Sequence, residues 1–168
     1  RIGKFINLVV EDAIPSLPAK VKTWFCEEVS SRFTAKNPHS ESYELNVDDD
    51  FESIYNSDNM DGDFHSCMTD KCYDSFYNDS VNASAASLWH DGKIVARCVI
   101  YNEVHVRYSD KVYRLAERQY SRNQDHILMQ KLVDMLIEGG YIDGYKRIGA
   151  GYSDTHAWIL NDGTELKS

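Results

Sequence analysis

The stretch from Ala86 to Val104 constrains the fold more than any other. Two strand-like runs, Ala86–His90 and Lys93–Val104, are separated by Asp91-Gly92 alone. A two-residue Asp-Gly link between such runs specifies a tight antiparallel hairpin, because both turn positions need positive φ. An isolated hairpin is barely stable in water, so the rest of the chain must extend or cover it. Val112–Tyr120 alternates in polarity and predicts the next strand of a meander. Residues 42–47, Tyr141–Ile148 and His156–Leu160 are further strand candidates.

Helical spacing appears elsewhere. Leu128, Leu132, Met135 and Leu136 share one face of Gln124–Glu138, and Gly139-Gly140 ends that run. Ile2, Phe5, Ile6 and Val9 predict a short helix over 2–11; Val21, Trp24, Phe25, Val29 and Phe33 predict a second over about 17–34. Asp48-Asp49-Asp50 would cap a short helix carrying Phe51, Ile54 and Tyr55, and Asp70–Tyr77 would form another. The sequence therefore predicts a single α+β domain over 1–168. Its antiparallel sheet is a meander of about four or five strands, packed with N-terminal helices and one long helix near 124–138. In the hairpin, period-two alternation puts Ile94, Ala96, Cys98 and Ile100 on one face. Arg97 falls on the other with Val95, Val99 and Tyr101, where it is expected to cross a half-solvated sheet.

Charge is segregated. The formal charge of −9 comes from 18 basic and 27 acidic residues. Glu41 to Asp70 holds ten of those acids and no Lys or Arg, leaving the remainder of the chain at 18 basic and 17 acidic residues. That balance argues against direct binding of nucleic acid, which needs clustered cations for phosphate. No apolar run is long enough to span a membrane, and Arg1 onward lacks the apolar core of a secretion signal. Cytosol is therefore the expected compartment. Tyr43, Phe51, Tyr55, Phe64, Tyr73, Phe76 and Tyr77 interleave with the acids of this loop-rich segment, 41–70, and the residues just after it. Rigid aromatic anchors amid charge are typical of protein–protein hot spots. The expected partner surface is Asp48, Asp49, Asp50, Glu52, Asp58, Asp61, Asp63 and Tyr55, facing a basic protein.

Tests for chemistry give less. A calcium loop centred on Gly62 would put Ser57 and Met68 at the positions that require acids. His65, Cys67 and Cys72 have zinc-ligand types at close spacing, but no second close pair completes the set. Two small buried thiols are the competing interpretation, and a zinc-binding domain or metal-dependent enzyme is the alternative function. Gly149-Ala150-Gly151 lacks the third glycine of a dinucleotide fingerprint. His90, His105 and His126 are scattered, and no nucleophile motif is present. The chain reads as a non-enzyme, and no catalytic residue is assigned.

Three blocks resemble a known group. Arg1-Ile2-Gly3-Lys4-Phe5-Ile6, Ser66-Cys67-Met68 and Ala96-Arg97-Cys98-Val99-Ile100-Tyr101 resemble small phage-encoded accessory proteins. The resemblance implies a phage origin and the cytoplasm of a bacterial host. Acidic phage proteins of this size include anti-CRISPR inhibitors, which bind a nuclease such as Cas9 and exclude its DNA; some carry structural zinc. A phage structural or host-takeover role is the other implied function.

Overall fold

The computed structural model describes residues 18–25, 28, 42–71, 77, 82–107, 110–151, 153–155 and 157–166. The predicted helix 2–11, most of 70–77 and the residues Cys26, Cys72, Tyr73, Phe76 and His156 lie outside them. The chain divides into two compact units, Arg1–Ser42 and Tyr43–Ser168. In the first, residues 19–25 are helical, starting where the Pro18 carbonyl accepts from the Val21 and Lys22 amides at 2.9 and 3.1 Å. Proline suits that position, since its missing N–H would have no helical partner.

The second unit is an α+β sheet domain. Its elements are β1 (Glu44–Asp48), α1 (Phe51–Tyr55), β2 (Ala83–His90), β3 (Lys93–His105), β4 (Val112–Ala116), β5 (Tyr120–Ser121), α2 (His126–Glu138), β6 (Gly144–Lys146) and β7 (Trp158–Leu160). The strands form one seven-stranded sheet ordered β1-β2-β3-β4-β6-β7, with β5 also paired to β3. The hairpin is as expected, with Asp91 at φ 49° and Gly92 at φ 74°.

The sheet is larger than the predicted meander, and it is mixed. β4 and β6 are parallel, with Leu115 opposite Gly144 and Ala116 opposite Tyr145. The cause is α2. Its 13 residues rise about 20 Å at ~1.5 Å each, enough to carry the chain back across the sheet. The next strand therefore enters from the same end as β4. α2 is sharply bounded at both ends. The Asp125 carboxylate accepts from the Ile127 amide at 2.9 Å, and Gly140 at φ 71° closes the other end. There the Tyr141 amide bonds the Leu136 carbonyl and the Gly140 amide that of Ile137, a Schellman motif.

Two apolar clusters cover the two faces of β3. Leu128, Leu132 and Leu136 of α2 pack on Ala86, Leu88, Val95, Ala96, Cys98 and Ile100. Phe51, Ile54 and Tyr55 of α1 pack with Met60, Phe64, Ala85, Ile94 and Val99. Ile94 and Ala96 were expected on one face and lie on opposite ones. Leu88 faces Ala96 but Trp89 faces Ile94, so Val95 is an extra residue on β3. Such a bulge inverts the alternation on one side of it.

Candidate functional site

The acidic segment is built into the domain rather than hung from it. The Asp50 carboxylate accepts from the Ser53 amide at 2.9 Å and caps α1, and Asp48 accepts from the Asp50 amide at 3.0 Å. Asp61 forms an ion pair with Arg122. Asp63 accepts from the His65 amide at 2.7 Å and lies 3.2 Å from the His65 ring. Asp70 accepts from the Ser57 amide at 2.8 Å, and that bond holds its carboxyl below the usual carboxylate range. Every described carboxylate of the window except Asp61 is exposed, including Asp49, Glu52 and Asp58. Met60 forms a bridge to Ile94, and the Asp61 amide donates to the Ile94 carbonyl at 2.8 Å.

Three of the described aromatic residues lie beneath that surface rather than on it. Phe51, Tyr55 and Phe64 are buried, and the Phe51 and Tyr77 rings stack at 4.9 Å. Tyr55 was expected as an exposed anchor; at 3% exposure it belongs to the core beneath α1. Four residues after Phe51 on α1, it falls on the same helix face and turns inward with it. Of the zinc candidates, His65 and Cys67 are exposed and Cys72 lies outside the described residues. No group of three metal-ligand side chains occurs among the described residues. No helix among them is long and apolar enough to cross a membrane.

Arg97 lies on the face that the alternation assigned to it, but that face is covered by Tyr55 and Phe64. It is 1% exposed, not half-solvated. Its guanidinium carbon lies 4.6, 4.9 and 5.9 Å from the ring centroids of Tyr55, Tyr120 and Phe64. Cation–π contact of this kind offsets part of the lost hydration. No carboxylate among the described residues pairs with it, and its Nε and Nη2 have no hydrogen-bond partner. A buried donor left so is destabilising by about 1–3 kcal/mol. Burial lowers the affinity of Arg97 for its proton, but an arginine starts high enough to stay charged. The same burial raises the Tyr55 phenol, with Tyr77 adding to it, and pushes the Cys98 thiol up to about 12. Cys98 is thus the inert core thiol its neighbours implied. The sequence signal for Arg97 was a lone cation inside an apolar run, Ile94–Tyr101, with no acid in the run.

A cavity of about 470 Å³ opens beside Arg97, lined also by Ser66, Cys67, Met68, Tyr101, Glu117 and Arg118. Glu117 is held by Lys146 at 2.9 Å, and both side chains are largely buried. Gln119 Nε2 donates to the Glu117 and Lys146 carbonyls at 2.9 and 3.1 Å, bridging the chain segments beyond the paired parts of β4 and β6. Lys146 lines a second cavity of about 800 Å³ with Leu115 and Trp158, so the ion pair stands between the two.

No protein-family model matches the chain, and no curated protein matches it. Among solved structures, a probable acetyltransferase from Staphylococcus epidermidis ATCC 12228 is similar at a TM-score of 0.39. The identity is 16%, over 62% of this chain and 71% of that one. A likeness of that degree carries neither an activity nor a ligand across.

Proposed function

We propose that this chain is a non-enzymatic inhibitor that docks on a basic protein surface through the carboxylates of residues 48–63. The observation that supports it best is the run of exposed Asp48, Asp49, Asp50, Glu52, Asp58 and Asp63 in a window without Lys or Arg. Fixed anions of this kind match the cationic channel with which a nuclease holds DNA, and mutual attraction speeds the encounter. The resemblance to phage accessory proteins suggests a bacterial defence nuclease, such as Cas9, in the host cytoplasm. Asp49, Glu52 and Asp58 are the docking residues that separate best from folding, since Asp50 caps α1 and Asp61 is engaged by Arg122. Phe51, Tyr55 and Phe64 contribute by supporting this surface from beneath.

The test is binding to guide-loaded Cas9 at low and raised salt, with wild type and with Asp49→Lys, Glu52→Lys and Asp58→Lys combined. The expected result is salt-sensitive binding that the triple variant loses while keeping its thermal unfolding midpoint. No binding by the wild type overturns Cas9 as the partner. Undiminished binding by the variant overturns the acidic surface.

A further inference from the structure

We propose that the cavity at Arg97 is a receptor for a small molecule bearing a carboxylate on an apolar body. The proposal is independent of the acidic surface. Three rings surround the guanidinium carbon at 4.6 to 5.9 Å, yet the buried Nε and Nη2 have no hydrogen-bond partner. These two donors form one edge of the fork, the edge that fits both oxygens of a carboxylate at once. This chain uses that edge elsewhere. Arg114 donates from Nε and Nη2 to the two oxygens of Asp143, at 3.1 and 2.8 Å. Arg97 presents the same edge with no acid among the described residues to fill it.

The walls define the remainder of the ligand. Met68, Tyr77, Val99 and Tyr101 offer apolar surface, and the volume of about 470 Å³ lies in the range of small-molecule pockets. Arg118, 5.0 Å from the Tyr120 centroid, adds a second cation. Glu117 lines the cavity too, but Lys146 already holds its carboxylate. Nε and Nη2 are shielded from water here, so entry requires a side-chain shift. Met68, unbranched and adaptable, is the wall residue best able to yield. One planar edge suits a carboxylate better than a phosphate, whose three outer oxygens call for more donors.

The experiment follows the Arg97 Nε–Hε resonance in the full chain labelled with ¹⁵N-arginine, together with the thermal unfolding midpoint. Benzoate is the probe, with benzyl alcohol and inorganic phosphate as separate arms. Benzoate should shift the resonance and raise the midpoint as its concentration rises. Benzyl alcohol and phosphate should do neither. Arg97→Lys, which keeps the charge but not the fork, and Arg97→Met should lose the benzoate effect. A resonance unmoved by benzoate overturns the proposal, as does an equal response to benzyl alcohol or to phosphate. Should both variants fail to fold, the three probes on the wild-type resonance decide the matter alone.

Discussion

Arg114 holds Asp143 with two parallel side-chain hydrogen bonds, and the Arg114 amide adds a third to the same carboxylate at 2.8 Å. Its Nη1 also donates to the Gly140 carbonyl at 2.7 Å. One arginine on β4 thereby secures the turn between α2 and β6, where the parallel pairing begins.

The pair predicts a pH-dependent stability. The Arg114 hydrogen bond holds the Asp143 carboxyl below the usual range, and Asp143 in turn raises Arg114. A carboxyl depressed by folding stabilises above its unfolded pKa of about 4, and that contribution is lost as pH falls through the folded value. Both side chains are about two-fifths exposed, so solvent screening keeps the contribution small. Asp143→Ala should be destabilising by about 1 kcal/mol at neutral pH. Urea unfolding of wild type and variant should converge on acidification below the carboxylate range. A gap that stays constant with pH contradicts the ion-pair account.

Neighbouring aspartates should behave differently. Asp50→Ala removes the cap of α1 and is expected to be destabilising by about 1 kcal/mol. Asp49→Ala touches an exposed carboxylate and should stay within about 0.5 kcal/mol of wild type. Urea midpoints of the two variants check the contrast, and equal losses would show that Asp50 is not a cap.

Val95 offers a test of the bulge. Val95→Ala keeps the frame of β3 and should be destabilising by about 2 kcal/mol through lost packing beneath α2. Deleting Val95 removes the extra residue and makes Ile94 and Ala96 adjacent opposite Trp89 and Leu88, so both keep their faces in plain alternation. The deletion should therefore keep a cooperative thermal transition, with a loss close to that of the alanine variant. A deletion variant that no longer unfolds cooperatively would mean that the bend and twist of the bulge are themselves needed for the sheet.

These residues also show how much was legible beforehand. Asp91-Gly92 announced its hairpin, and Leu128, Leu132 and Leu136 announced α2, because turn chemistry and helical period are local signals. A strand was legible within Tyr141–Ile148, and Gly144–Lys146 forms it, but its parallel pairing with β4 was not, because that depends on where α2 returns the chain. The site at Arg97 was obscured by a different cause. Its face was assigned correctly, but whether that face meets water depends on α1 and Phe64, which reach it from thirty to fifty residues upstream. Tyr55 failed likewise: the α1 stripe was visible, and what it packed against was not. The carboxylates were legible as a charge run, while the division between Asp50, which caps, and Asp49, which does not, needed the backbone.

The bridge from Met60 to Ile94, with the Asp61 amide on the Ile94 carbonyl, fastens the acidic segment to the middle strand of the sheet. An acidic tail selects among cationic surfaces by how many charges it carries, and it loses chain entropy each time it binds. Carboxylates mounted on this bridge have fixed separations and have already been ordered by folding. They would discriminate by spacing, so a surface of equal charge but different geometry would be a poorer fit.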